Sequence, residues 1–179
     1  MLGLFLPLVF AVVVNDCLLR MHNVKKESQY SRLFDQLKAL LSRTDDRLAR
    51  MATVASVLHH KISYFSWTGF YTLRENEMRV GVYQGRVACQ VLPRDTGVCW
   101  AAYNQGESLV VEDVEHFPGH IACDPRSRSE IVIPLFDREG RKYGVLDVDS
   151  TDPASFDEVD RHWLEKVVFL INHPEETGW

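Results

Sequence analysis

Apolar residues recur at helical spacing from Ser28 to Leu41, where Leu33, Leu37, Leu40 and Leu41 share a face, and the pattern predicts a helix. Thr44, Asp45 and Asp46 follow, residue types that cap a helix and suit the positive end of its dipole. They predict a second helix with Leu48, Met51, Ala52, Ala55, Leu58 and Ile62 on one core-facing stripe. The composition then turns aromatic and β-branched. Trp67 to Leu73, Met78 to Tyr83 and Val87 to Leu92 predict a strand meander, broken at Glu75-Asn76-Glu77 and Gln84-Gly85-Arg86. Cys99 to Tyr103, after Gly97, predicts a short helix, and Ser108 to Val111 a brief strand. Glu112 to Ser129 contains Pro118, Gly119 and Pro125 and reads as a loop, and loops of that length in compact domains are more often functional than idle. Glu130 to Phe136 and Tyr143 to Val148 form an apolar hairpin around Asp137-Arg138-Glu139-Gly140. Ser155 to Glu158 matches a capping box, and Val159, Trp163, Val167 and Ile171 continue it as a closing helix. The sum is an α+β fold, a single domain over 28–172 with five or six antiparallel strands and helices packed on the sheet, followed by a tail, 173–179, expected to be unpacked.

Residues 1–27 break this pattern. Leu2 to Val14 is an apolar run of thirteen residues containing Pro7. As a helix it would reach about 20 Å at ~1.5 Å per residue, short of a hydrocarbon core of about 30 Å. A secretory signal would want a basic leader and small residues at a cleavage site, yet no Lys or Arg precedes Arg20 and the run ends Val14-Asn15-Asp16. Met21 opens a more typical soluble start, so an upstream extension, an uncleaved anchor and a buried strand remain open for this stretch, which includes Cys17.

Hydrophobic residues are 46% and charged residues 25% of the 179, enough for a packed core and no case for disorder. The formal charge of -5 repels a phosphate backbone, so nucleic acid is not an expected partner. Four cysteines are too few for a disulfide scaffold at this length, which makes each one a candidate reagent. Cys123 stands in the long loop, Gly119-His120-Ile121-Ala122-Cys123-Asp124-Pro125, where strand packing gives no reason for a thiol. His120, Arg126 and Arg128 are the neighbours able to lower its pKa. A second constellation is acidic: Glu130 opens one hairpin strand, and Asp147 and Asp149 share a face of the other. Carboxylates in apolar strands must be protonated, ligated or paired with a cation, unless Asp149 and Ser150 merely cap a turn and Asp147 meets a backbone donor.

His116, His120, Cys123 and Cys99 could offer metal ligands, but His-x3-His-x2-Cys is not a zinc spacing and no Cys-x2-Cys occurs, so no metal is expected. Gly81, Gly85 and Gly97 make no phosphate-binding pattern, and there is no Gly-x-Ser-x-Gly elbow.

Six strings taken together, Ser66-Trp67-Thr68-Gly69-Phe70-Tyr71, Gln84-Gly85-Arg86-Val87-Ala88-Cys89, Gly97-Val98-Cys99, Phe117 to Asp124, Ser129-Glu130-Ile131-Val132 and Gly144 to Ser150, resemble the free methionine-(R)-sulfoxide reductases built on a GAF domain. The resemblance runs from about Ser31 to Ile171 and implies a six-stranded antiparallel sheet enclosing a pocket for one free amino acid. It implies that Cys123 is the nucleophile, Cys89 the preferred resolving thiol and Cys99 a second thiol able to join the exchange. It makes Glu130, Asp147 and Asp149 the acidic cluster and Trp67 and Tyr71 an aromatic wall. Attack on sulfoxide sulfur needs a proton for the departing oxygen, and crowded carboxylates keep one of their number protonated, a role given to Glu130. Asp147 and Asp149 would then offset the substrate ammonium, while Trp67 and Tyr71 hold its S-methyl end. A sulfenic acid on Cys123 would condense with Cys89, and thioredoxin or a similar dithiol would reopen the disulfide, without metal or organic cofactor.

Two departures from the family pattern touch this site: Trp100 follows Cys99, where its bulk is expected to bury the thiol, and Pro125-Arg126-Ser127-Arg128 replaces small uncharged residues. The runner-up reading is a non-catalytic GAF module that binds a small ligand or senses redox state through the same cysteines. A reducing compartment suits the thiol chemistry, which makes the cytoplasm the expected location, with a part in the oxidative stress response.

Overall fold

The computed structural model describes residues 5–121 and 123–175. Its helices are α1 (Phe5–Leu41), α2 (Arg47–Lys61), α3 (Gly97–Gln105) and α4 (Glu158–Asn172). Its strands are β1 (Trp67–Arg74), β2 (Glu77–Gln84), β3 (Val91–Leu92), β4 (Leu109–Val111), β5 (Ser129–Phe136) and β6 (Lys142–Ser150). They form one six-stranded antiparallel sheet in the order β3-β2-β1-β6-β5-β4, as the α+β reading expects.

Strand alternation divides the apolar residues between two cores. Phe70, Ile131, Ile133, Leu146 and Val148 point to the face covered by α1, α2 and α4 and pack with Leu37, Leu58 and Leu164. The opposite face carries Trp67, Tyr71, Val132 and Val145 and is closed in part by α3 through Cys99 and Trp100. Asp46 caps α2 by accepting from the backbone N–H groups of Leu48 and Ala49. Buried Arg50 donates to the carbonyls of Leu41, Thr44 and Ile171, which ties α1, α2 and α4 together.

Several sequence-based boundaries move. The first helix begins at Phe5 rather than Ser28, so the described part of the apolar run is helix and not a strand. Lys26 precedes the expected domain start at residue 28, yet it is buried and bonded to Asp157 and Asp160 at the start of α4. No helix among the described residues is long and apolar enough to cross a membrane. The side chain of Cys17 lies outside the described residues.

The strand expected over Val87 to Leu92 contracts to Val91–Leu92. Preceding backbone is diverted to other partners: the Trp67 indole donates to the Arg86 carbonyl, the Tyr71 hydroxyl to the Cys89 carbonyl, and Cys89 is disulfide-bonded. The capping box of α4 belongs to Asp157 and Asp160, not to Ser155 and Glu158. Ser155 instead donates its hydroxyl to Ser150 and to the Asp152 carbonyl. Of the tail, His173 stacks on Phe169, Pro174 is buried and Glu175 pairs with Arg138, so this part is packed, and residues 176–179 lie outside the described residues.

Candidate active site

The site follows from strand register. Trp67, Gly69 and Tyr71 on β1 lie opposite Asp149, Asp147 and Val145 on β6, and Asp149 and Asp147 lie opposite Glu130 and Val132 on β5. Paired residues share a face, so one register brings Trp67, Tyr71, Glu130, Asp147 and Asp149 together on the face away from α1, α2 and α4. Gly69 is required at its position: a Cβ there would stand 2.4 Å from the Trp67 ring and 2.4 Å from Tyr83 Cβ. The bare glycine lets the indole lie flat, stacked between Tyr71 at 5.9 Å and Tyr83 at 5.4 Å between ring centroids.

The other walls come from α3 and the long loop. Thr96, Gly97, Val98 and Cys99 bring the first turn of α3 to the pocket, and His120, Ile121, Cys123 and Ser127 come from the loop. Cys123 is bonded to Cys89, with 5.4 Å between their Cα atoms, and lies on the pocket wall. The pocket has a volume of about 50 Å³, small beside the roughly 300–1,000 Å³ of drug-sized sites, and opens in part to solvent.

Electrostatics here are one-sided. Burial, reinforced by Asp147 and Asp149, pushes the Glu130 carboxyl well above the ordinary range. Burial and Asp147 raise Asp149, against a hydrogen bond from Ser127, and burial raises Asp147 to about 6. The Cys99 thiol is pushed up by burial and by the three carboxylates. Among the described residues no Lys or Arg side chain lines the pocket. Asp147 Oδ1 is buried without a hydrogen-bond partner, so the alternative in which Asp147 meets a backbone donor does not hold for that oxygen. His120 Nδ1 is 4.0 Å from Glu130 Oε2, and burial holds its pKa low, which favours the neutral imidazole.

The sequence-derived candidates therefore converge: Cys123, Glu130, Asp147, Asp149, Trp67 and Tyr71 line one space, and Cys89 stands behind it, joined to Cys123 by the disulfide. Cys99 is there too, but as a buried free thiol that donates to Glu130 Oε1 at 3.9 Å, with Trp100 buried beside it as expected. The loop arginines do not turn to Cys123. Arg126 pairs with Asp124 at 2.7 Å, and Arg128 lies 3.8 Å from Asp113, so their charge is met by loop acids. Of the residues weighed as possible metal ligands, Cys123 is in the disulfide and exposed His116 pairs with Asp113. The donors that do come together are Cys99, Glu130 and Asp147. Sequence reasoning missed Ser127, which is buried between exposed Arg126 and half-buried Arg128 and bonds Asp149, and Tyr83, which backs Trp67; neither carries a local signal.

Comparison with known proteins gives the family. A GAF domain family model matches residues 44–172. A Saccharomyces cerevisiae protein named free methionine-R-sulfoxide reductase is 36% identical over 157 residues, covering 84% of this chain and 87% of its own length. An Escherichia coli protein of the same name is 36% identical over 145 residues, with coverages of 81% and 87%. A Neisseria meningitidis free methionine-R-sulfoxide reductase, solved in complex with its substrate, superposes with a TM-score of 0.79 at 37% identity, over 83% of this chain and 89% of that one. The chain thus belongs to the free methionine-R-sulfoxide reductase family of GAF-domain proteins.

Proposed function

We propose that this protein reduces free L-methionine (R)-S-oxide to L-methionine by thiol chemistry in the pocket on the β1–β6–β5 face. The carrying observation is the convergence of the Cys89–Cys123 disulfide with Glu130, Asp147 and Asp149 around a small aromatic-walled cavity. In the reduced chain the Cys123 thiolate attacks the sulfoxide sulfur. The oxygen accepts the proton that burial and its acidic neighbours keep on Glu130, and passes to Cys123 as a sulfenic acid while methionine leaves. The Cys89 thiol displaces it as water, forming the disulfide.

Asp147 and Asp149 offset the α-ammonium of a free amino acid, a group that methionine inside a peptide lacks. Trp67 and Tyr71 hold the S-methyl end by packing and by sulfur–aromatic contact. Thioredoxin or a similar dithiol reopens the disulfide, and the cytoplasm supplies such reductants. NADPH consumption coupled through thioredoxin tests the reading. Free (R)-sulfoxide should be turned over while the free (S)-epimer and peptide-bound sulfoxide are not, and no consumption with any substrate would favour a ligand-binding or sensing module instead.

A further inference from the structure

The acidic floor of the pocket includes a thiol that the proposed cycle leaves idle. Cys99 Sγ, a carboxylate oxygen of Glu130 and one of Asp147 all lie within 4.8 Å of one another, and all three residues are buried. Asp147 is 7% exposed, lines the pocket, and keeps Oδ1 without a partner. An unsatisfied buried carboxylate oxygen is costly, and the Asp147 side chain that carries it stands beside the Cys99 thiol and the Glu130 carboxyl, with which it exchanges hydrogen bonds. A cation would satisfy all three.

The donor set selects the ion. One thiolate with two carboxylates suits a borderline-soft cation such as Zn²⁺, whereas Mg²⁺ and Ca²⁺ want oxygen throughout. Tetrahedral Zn²⁺, with Zn–S about 2.3 Å and Zn–O about 2.0 Å, places sulfur and oxygen about 3.5 Å apart. The observed 3.9 Å from Cys99 Sγ to Glu130 Oε1 needs a contraction of only a few tenths of an ångström. Three protein ligands leave the fourth position to water.

We propose that Cys99, Glu130 and Asp147 form a binding site for a thiophilic divalent cation of the Zn²⁺ type, whose occupancy shuts the pocket to the sulfoxide. The second half rests on the reductase reading; the site itself does not. Binding requires the deprotonated ligands, so the thiol and any protonated carboxyl release their protons to the buffer. The three anionic ligands carry a charge of about -3 against +2 on the ion, which compensates most of the buried charge. Cys99 is the free thiol of the pocket when Cys89 and Cys123 are joined, so the site exists in the oxidised chain.

The test uses the full-length disulfide form in a Cys17→Ser background, which leaves Cys99 as the one free thiol of the sequence. ZnCl2 is titrated calorimetrically in two buffers of different ionisation enthalpy, and CoCl2 is followed by absorption. The expected result is one equivalent bound with proton release, a thiolate-to-cobalt charge-transfer band, and affinity at least about tenfold weaker in both Cys99→Ser and Asp147→Asn. Absence of stoichiometric binding overturns the proposal, as does unchanged affinity in both variants. In the first turnover of pre-reduced chain, zinc should raise the half-saturating concentration of free methionine sulfoxide without lowering the limiting rate. Inhibition that excess sulfoxide cannot relieve would overturn the competitive mode. Zinc binding through these residues in a chain that fails to reduce the sulfoxide even without zinc would uphold the site and refute the reductase reading.

Discussion

Glu130 on β5 and Asp149 on β6 are direct partners across the antiparallel ladder, and their side chains stand on the same buried face of the sheet. Two carboxylates so placed do not both ionise readily, and a proton kept on Glu130 is the one the proposed chemistry needs. Glu130→Gln should therefore lower kcat about 100-fold or more with a smaller rise in KM. Steady-state kinetics with the free (R)-sulfoxide decide it: a large KM effect with kcat preserved would make Glu130 a binding residue instead.

The Cys89–Cys123 bond divides the cycle into two measurable halves. Cys123→Ser should abolish methionine formation. Cys89→Ser should release about one methionine per chain and then stall, because the sulfenic acid on Cys123 has lost its partner. Rapid-quench product counting reads both, and sustained turnover by Cys123→Ser would end its assignment as nucleophile.

Gly69 supports the aromatic wall by having no side chain. In Gly69→Ala the new methyl group would meet the Trp67 ring at 2.4 Å, so the indole must shift off its stacked position. KM should rise several-fold, with a stability loss of about 1–3 kcal/mol. Thermal unfolding and kinetics measured together check this; unchanged KM would mean that the indole does not contact substrate.

The acid cluster carries a stability cost with a defined sign. Asp147 titrates at about 6 in the folded chain, above the usual carboxylate range, so the folded state binds its proton more tightly than the unfolded state does. Stability is fully present below about pH 4 and falls as pH rises through about 6, by up to about 3 kcal/mol for this group. Asp147→Asn should thus raise the melting temperature by several degrees at pH 8 and leave it nearly unchanged at pH 4, while impairing activity. Equal shifts at both pH values would contradict the electrostatic cause.

Lys26 anchors α1 to α4 with its ammonium against Asp157 at 2.8 Å and against fully buried Asp160, which also accepts from the hydroxyls of Tyr30 and Tyr64. Lys26→Met leaves a buried carboxylate without its cation and should cost about 3 kcal/mol. The corresponding loss is about 6–12 °C in Tm, read by calorimetry. An unchanged Tm would show that the two tyrosines and the capping amides suffice.

Alternation and helical spacing, which record the burial of one face at a time, were enough to read the α+β architecture, the β5–β6 hairpin and the long loop after β4 from the chain alone. Cys123, Glu130 and Asp147 stood out as candidates because their chemistry is conspicuous where packing does not ask for it, while Trp67 and Cys89 were pointed to only by the family resemblance. Register and long-range closure were not legible there. No local pattern shows that β1 lies between β2 and β6, which is what sets Trp67 against Asp149. Nor does the sequence reveal that Cys89 leaves its expected strand, that Asp147, with one oxygen unpartnered, comes to lie beside Cys99, or that Arg126 and Arg128 are claimed by loop acids. These depend on atoms distant in the chain competing for the same partners, and only the folded molecule decides that competition.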